Sequence, residues 1–223
     1  DEIVSSGIVN WPSHMGSLNF GYANFSGGLQ INKDLYDKIP GDDVRKGWWL
    51  GGDLKSKNLS ASQQAMVTGY GYKAYTQVKF APYNNVLETS INANDIPLMR
   101  VEEMYLIKAE AEVMSEQDGK KTLVDFVTKY RNKKYVVNNS DIQEEVFFQR
   151  RIELWGEGLN WFDLMRLNKG VDRRGGGFPN DNMILILLRL IRFCCGLFLK
   201  PKFRQTRLCQ QPIKIQHQRL RNL

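Results

Sequence analysis

Apolar side chains and opposite charges alternate within residues 141–169 too densely for a solvated surface. Ser140 or Asp141 can cap a helix at the start of this stretch, and bulky apolar residues would cover most of that helix. These residues are Ile142, Val146, Phe147, Phe148, Ile152, Leu154 and Trp155. The pattern predicts a central helix over 141–155, ended by two glycines, and a second short helix over 160–166.

The same stretch carries six charged side chains beside indole and phenyl rings. They are Arg150, Arg151, Glu153, Glu157, Asp163 and Arg166. Charges next to buried rings are costly unless they are paired. We therefore predict a buried structural ionic cluster that fixes the corner between the two helices. The alternative is a carboxylate site for acid/base chemistry.

Two sequence motifs resemble one known family. The run RRIELWGEGLNWFDLMR at 150–166 resembles a signature near the C-terminus of SusD/RagB-type proteins. That signature usually reads Glu-Arg-Arg-x-Glu-Leu, then Glu-Gly, then Arg-Trp-x-Asp-Leu-x-Arg. This chain departs from it at Gln149, where the family commonly has Glu, and at Asn160, where the family commonly has Arg or His. A second run, 94–112, resembles the family helix Arg-x-x-Glu-x-Tyr-Leu-x-x-Ala-Glu-Ala, and the resemblance extends over residues 1–188.

The resemblance implies a mainly α fold. It would be the C-terminal part of a SusD-like helical fold, with a tetratricopeptide-like helix pair, long loops and a few short strands. The residue pattern itself predicts an antiparallel helix pair over 101–114 and 121–133 and a short helix over 32–39.

Other segments give weaker patterns. Residues 60–67 favour a weak helix at best, while 78–80 and 183–188 read as strands, the second of them buried. The first eight residues predict a strand, followed by a long glycine-rich loop up to residue 30.

The resemblance also implies a function. A SusD/RagB protein is an outward-facing outer-membrane lipoprotein that binds a glycan or other nutrient without chemistry and passes it to a SusC-like TonB-dependent transporter. The expected partners are therefore an oligosaccharide and that transporter, with no cofactor, no metal and no enzymatic activity. The chain would be the C-terminal portion of a longer protein, whose lipid anchor and N-terminal helices precede Asp1.

Aromatic side chains in irregular segments are the expected glycan contacts, because aromatic rings pack on the apolar faces of sugars. The glycine-rich first thirty residues supply the first three candidates, and the family resemblance places a substrate-facing loop there. The candidates are Trp11, Tyr22, Phe25, Trp48, Trp49 and Tyr72.

The net charge of +7 is concentrated at the C-terminus. Residues 183–223 hold nine Lys or Arg and no Asp or Glu, which leaves 22 basic against 24 acidic residues before them. This distribution argues against a nucleic-acid site on the body of the chain. All three cysteines also fall in this segment, and the family pattern stops near Leu188. We interpret 189–223 as a basic tail that is not native to the fold, produced by a change of reading frame.

Two other functions are compatible with parts of the sequence. The helix pair alone would suit a helical, tetratricopeptide-like protein-interaction scaffold. A glycoside hydrolase needs two carboxylates facing across a cleft. Glu110 and Glu112, two residues apart on a helix, point away from each other.

Overall fold

A computed structural model describes residues 10–137 and 139–187. The described chain is mainly helical. The helices are α1 (Trp11–Met15), α2 (Tyr22–Phe25), α3 (Lys33–Asp37), α4 (Ala61–Gly69), α5 (Val101–Met114), α6 (Gly119–Tyr130), α7 (Ile142–Glu153) and α8 (Leu159–Arg166). Short 3₁₀ turns occupy Val44–Trp48, Tyr83–Asn85 and Asp181–Met183, and the strands are β1 (Val171–Asp172) and β2 (Ile186–Leu187).

The chain divides into two compact units. The first comprises Asp1–Gly158 with Gly175–Gly177, and the second comprises Leu159–Arg174 with Phe178–Leu223. In the second unit, β1 and β2 form an antiparallel pair in which Val171 lies opposite Leu187. The candidate site lies in the first unit.

Helices α5, α6 and α7 pack against one another around an apolar core. The side chain of Asp118 caps α6 by accepting a hydrogen bond from the Lys121 amide, and Asp141 caps α7 through the amides of Gln143 and Glu144. The buried core residues are Leu106, Ala109, Leu123, Phe126, Val127 and Val146. The predicted helix pair and the predicted central helix are confirmed within a few residues of their expected ends.

Helix α7 also contributes to a second apolar cluster through Ile152, which packs with Ile31, Leu35, Ile39 and Trp49. The predicted helix after Asn32 is confirmed as α3, with the Asn32 side chain accepting from the Leu35 amide. Burial of α7 on two sides explains why so much of its circumference is apolar.

The prediction of a long glycine-rich loop up to residue 30 is only partly confirmed, because this segment contains the short helices α1 and α2. The Asn10 side chain accepts from the Ser13 amide and Pro12 occupies the first turn, so α1 forms where no periodicity was visible. Helix α4 is regular rather than weak, because Ser60 and Gln63 form a reciprocal capping box.

The predicted strand over 78–80 is wrong. The Val78 amide donates to the Trp48 carbonyl, but the Phe80 amide donates to the side chain of Gln77, so no ladder continues. The second predicted strand is shorter than expected, and β2 is partly exposed rather than buried. The strand predicted for the first eight residues and the tail over 189–223 lie outside the described residues.

Close packing of α5 on α6 requires a glycine at the start of α6. A Cβ at Gly119 would lie 2.2 Å from the Ala109 carbonyl oxygen and 2.5 Å from Val113 Cγ2. We expect Gly119→Ala to force the helices apart and to lower the free energy of unfolding by about 1–3 kcal/mol. Urea denaturation measures this loss. Gly41→Ala is the matched control, because nothing lies within 4 Å of its Cβ position. Equal stability of the two variants would contradict the packing described for α5 and α6.

Candidate functional site

Glu153, at the end of α7, is fully buried and is surrounded by three arginines from other parts of the first unit. Its carboxylate accepts from Arg131 Nε and Nη2 at 2.8 Å each, and from Arg100 Nη1 at 3.1 Å. Arg45 Nη1 approaches the same carboxylate at 3.4 Å. One buried anion therefore holds together three chain segments that are remote in sequence.

The three arginines also set the pKa of Glu153. Burial alone would raise it, but the hydrogen bonds and positive charge of Arg131, with the charges of Arg45 and Arg100, lower the pKa below its ordinary 4.5. The carboxylate is ionised and saturated by cations at neutral pH. It therefore acts as a structural anchor and has no vacant lone pair directed at a substrate.

Glu157 provides the second anion of the network. Arg100 donates to it through Nε at 3.0 Å and Nη2 at 2.8 Å, and Lys79 Nζ forms a short ion pair with it. Lys79 also donates to the carbonyls of Glu153 at 2.8 Å and Trp155 at 2.9 Å. Burial lowers the pKa of Lys79 to about 8, and Glu157 opposes that shift.

Gln149 is one of the two departures from the SusD/RagB pattern. Arg45, also fully buried, donates to Gln149 Oε1 at 2.6 Å and to both carboxylate oxygens of Asp43, at 3.0 and 2.7 Å. A neutral amide suffices at position 149 because Asp43 and Glu153 already supply the negative charge.

The six predicted cluster residues lie on α7, on α8 and in the segment between them. Glu153 and Glu157 belong to the network, whereas Arg151 packs against the Phe147 ring at 5.7 Å. Arg150 is buried on α7. Asp163 and Arg166 pair within α8, with Nη2 2.8 Å from Oδ1.

Sequence reasoning missed the basic half of the network. Arg45, Arg100, Arg131 and Lys79 lie 22 to 108 positions away from the Glu153 or Glu157 carboxylate that they bind. The available signals were Asp43 two residues before Arg45 and the position of Arg100 within the motif that resembles the family helix. Neither signal identifies the partner in space.

The network fixes a short segment that forms one wall of a cavity. Lys79 is anchored as described, and the next residue, Phe80, lies edge-on to Trp11 with ring centroids 5.0 Å apart. Gln77 donates to the Met15 carbonyl and accepts from the Phe80 amide at 3.1 Å, which ties the segment to α1. Phe80 is thereby held on both sides.

Gly156 makes room for this arrangement. It adopts a positive φ of 78°, and a Cβ there would lie 2.8 Å from Phe80 Cε2 and 3.0 Å from Met15 Cε. The glycine that ends the α7 region therefore allows Phe80 and α1 to approach the backbone closely.

The cavity between α1 and residues 79–97 has a volume of about 380 Å³. Its aromatic wall is formed by Trp11 and Phe80, and Asn19, Asn94 and Asp95 add polar groups. A second cavity, of about 520 Å³, has no aromatic side chain among its described lining residues. The first cavity is therefore the better candidate for a sugar.

Two amides in the first cavity have incomplete hydrogen bonding. Asn19 is 1% exposed and donates through Nδ2 to Asn92 Oδ1 at 2.8 Å, while Asn94 donates to the Ala81 carbonyl at 2.9 Å. Within residues 10–137 and 139–187, neither Oδ1 atom finds a donor. A buried acceptor without a donor is energetically costly. Both oxygens are closed off from solvent, so a ligand hydroxyl reaches them only after the amides reorient.

The other aromatic candidates fall into two groups. Tyr22 and Phe25, on α2, are 55% and 59% exposed and contact His14 and Phe20 respectively. Trp48 is half-buried, with Lys79 Nζ 5.0 Å from its ring centroid. Tyr22 and Phe25 remain accessible to a ligand, whereas Trp48 packs largely against the network.

Two candidates are corrected by the structure. Trp49 is fully buried, edge-on to Trp155 in the α3–α7 cluster, and cannot present its face to a sugar. Tyr72 is 9% exposed, and its hydroxyl donates to Glu88 while accepting from Asn24. Burial and the Glu88 contact raise the pKa of Tyr72. Both residues are core side chains.

The described residues contain neither a metal-binding cluster nor a membrane-spanning helix. No group of three or more His, Cys, Asp or Glu there is arranged to bind a metal ion. No helix in the same part of the chain has the length and apolar character needed to cross a bilayer.

The buried network generates a stability prediction with a defined pH dependence. Glu153→Gln should leave three arginines without their anion and lower the free energy of unfolding by about 3 kcal/mol or more at pH 7. Because the folded-state pKa is lowered, the stabilisation is complete above the ordinary value of 4.5 and is lost as pH falls through the folded value. The stability difference between wild type and variant should therefore shrink in acid.

Chemical denaturation at pH 7 and at several acidic pH values measures that difference. Asp125→Asn is the control, because its ion pair with Lys121 is exposed and should contribute less than about 1 kcal/mol. Equal losses for the two variants would contradict a structural role for the Glu153 network.

Comparisons with known proteins identify the family. Residues 49–185, more than half of the chain, match the SusD family. A SusD-like protein of Formosa agariphila is 31% identical over 125 residues, which cover 48% of this chain and 24% of that protein. The crystal structure of a SusD-like carbohydrate binding protein from Bacteroides vulgatus is 24% identical with a TM-score of 0.45, covering 72% of this chain and 33% of that one. The chain thus spans about a quarter of the curated relative's length, and the extent of the family match establishes that it belongs to the SusD family.

Proposed function

We propose that this chain belongs to a non-catalytic glycan-binding protein, and that the cavity beside Trp11 contributes to its binding site. The observation that carries the proposal is the combination of an aromatic wall with amide side chains in one cavity. Family membership supports it, and the matched structure from Bacteroides vulgatus is described as a carbohydrate binding protein.

The geometry suits a sugar ring. Sugars present apolar C–H faces, which pack on aromatic rings, and hydroxyl edges, which need hydrogen-bond partners. Trp11 and Phe80 offer the first kind of surface, and Asn19 and Asn94 offer the second. A volume of about 380 Å³ suits one or two sugar units, with Tyr22 and Phe25 on α2 as candidates for contacts to a longer chain.

The arrangement of carboxylates favours binding over hydrolysis. Glycoside hydrolases place two carboxyl groups on either side of the scissile bond. Asp95 is the only carboxylate among the described residues that line the cavity, and Glu153 and Glu157 are occupied by arginine and lysine. No carboxylate pair is available there for acid/base catalysis.

We further propose that the complete protein faces outward on the outer membrane and delivers its ligand to a SusC-like TonB-dependent transporter. Membership of the SusD family supports this proposal. Protease treatment of intact cells and co-purification of the transporter with the tagged full-length protein test it. A protein that stays protected in intact cells and does not retain the transporter would contradict it.

The aromatic wall predicts a binding defect without loss of the fold. Trp11→Ala in the full-length protein should weaken glycan binding by about 1 kcal/mol or more, because the sugar loses its stacking surface. The melting temperature should change little, since the Trp11 ring is only partly buried. Calorimetric titration with the best-binding oligosaccharide of a panel measures the affinity.

Trp161→Ala is the matched control, because Trp161 is a 42% exposed tryptophan in the second unit. It should leave the affinity unchanged. An affinity that is insensitive to Trp11, or equally sensitive to both tryptophans, would place the binding site elsewhere.

A further inference from the structure

We infer that the Trp11 cavity selects an uncharged, hydroxyl-rich glycan and rejects sugars that carry carboxylate or sulfate groups. This inference rests on the proposed glycan-binding function and specifies the ligand class of the same site. It follows from the balance of hydrogen-bond acceptors, donors and charges around the cavity.

Two amide side chains, those of Asn19 and Asn94, line the cavity. Asn19 Oδ1 and Asn94 Oδ1 are buried oxygens with no donor among the residues that the structure describes. The amide nitrogen of each residue makes one hydrogen bond, from Asn19 to Asn92 and from Asn94 to the Ala81 carbonyl, and so keeps a second N–H. A sugar hydroxyl can both donate to and accept from an amide, whereas a carboxylate or sulfate group can only accept.

The unpaired charge among the described lining residues of the cavity is the negative charge of Asp95. Asp95 is exposed at the cavity wall beside Asn94, and no described residue forms a salt bridge with it. An anionic sugar placed there would face a like charge, and such juxtaposition disfavours binding.

The cation nearest to this charge does not compensate for it. Lys79 contributes to the cavity wall, but its ammonium group donates to Glu157 and to the carbonyls of Glu153 and Trp155. These three acceptors match the three donors of an ammonium group. Among the described lining residues no other cation is present, so no positive charge there is free to pair with an anion.

Matched glycans that differ only in charge test the inference. Calorimetry on the full-length protein would compare manno-oligosaccharide with oligomannuronate, galacto-oligosaccharide with oligogalacturonate, and neutral with sulfated galacto-oligosaccharide. We expect at least one neutral member to bind, with its anionic counterpart weaker by about tenfold or more because of the like charge. Asp95→Asn should reduce that ratio by at least about threefold, since it removes the charge and keeps the shape.

Asp181→Asn is the control, because Asp181 is an exposed carboxylate in the second unit and its removal changes the net charge equally. It should leave the ratio unchanged. An anionic member that binds more tightly than its neutral counterpart, or a ratio that Asp95→Asn leaves intact, would overturn the inference but not the proposed function. Failure of every glycan to bind would overturn both.

Discussion

The buried carboxylate of Glu153 is the interaction on which the first unit depends. It neutralises arginines that come from the 3₁₀ turn before Trp49, from the residue before α5 and from the end of α6. Each arginine would be costly to bury alone, so the three segments can assemble only around the end of α7. This constraint explains why the 141–155 sequence combines bulky apolar residues with charge. It also argues for a structural role of Glu153, whose two carboxylate oxygens already accept from three arginines.

The candidate binding site is a consequence of the same network. Lys79 is held by Glu157 and by two carbonyls of the chain that follows α7, and Phe80 follows it directly. Gly156 lets the Phe80 ring approach, and Trp11 completes the aromatic wall. The network therefore places the ring that packs edge-on against Trp11. Substitution of a cavity side chain such as Trp11 should therefore change the binding affinity with little effect on the stability of the fold.

The sequence predicted the helices well because helical periodicity, caps and glycine stops are local properties, as at Asp141. It predicted the site less well because the decisive information was tertiary. Lys79 lies in a run with strand propensity, yet its hydrogen bonds go to residues more than 70 positions away. Trp48 and Trp49 are adjacent in sequence, and only packing against α7 decides that Trp49 is the buried one. Trp11 was a candidate from the sequence and lines the cavity, but its partner Phe80 and the amides around it were not foreseen.

A crystal structure of the full-length protein with its tightest-binding neutral oligosaccharide tests the central claim most directly. The account predicts a sugar ring packed on Trp11, with hydroxyl groups within hydrogen-bond distance of Asn94 and the Glu157–Lys79 contact unchanged. An oligosaccharide bound elsewhere, with the Trp11 cavity vacant, would contradict the account. Trp11 and its supporting network would then be part of the fold alone.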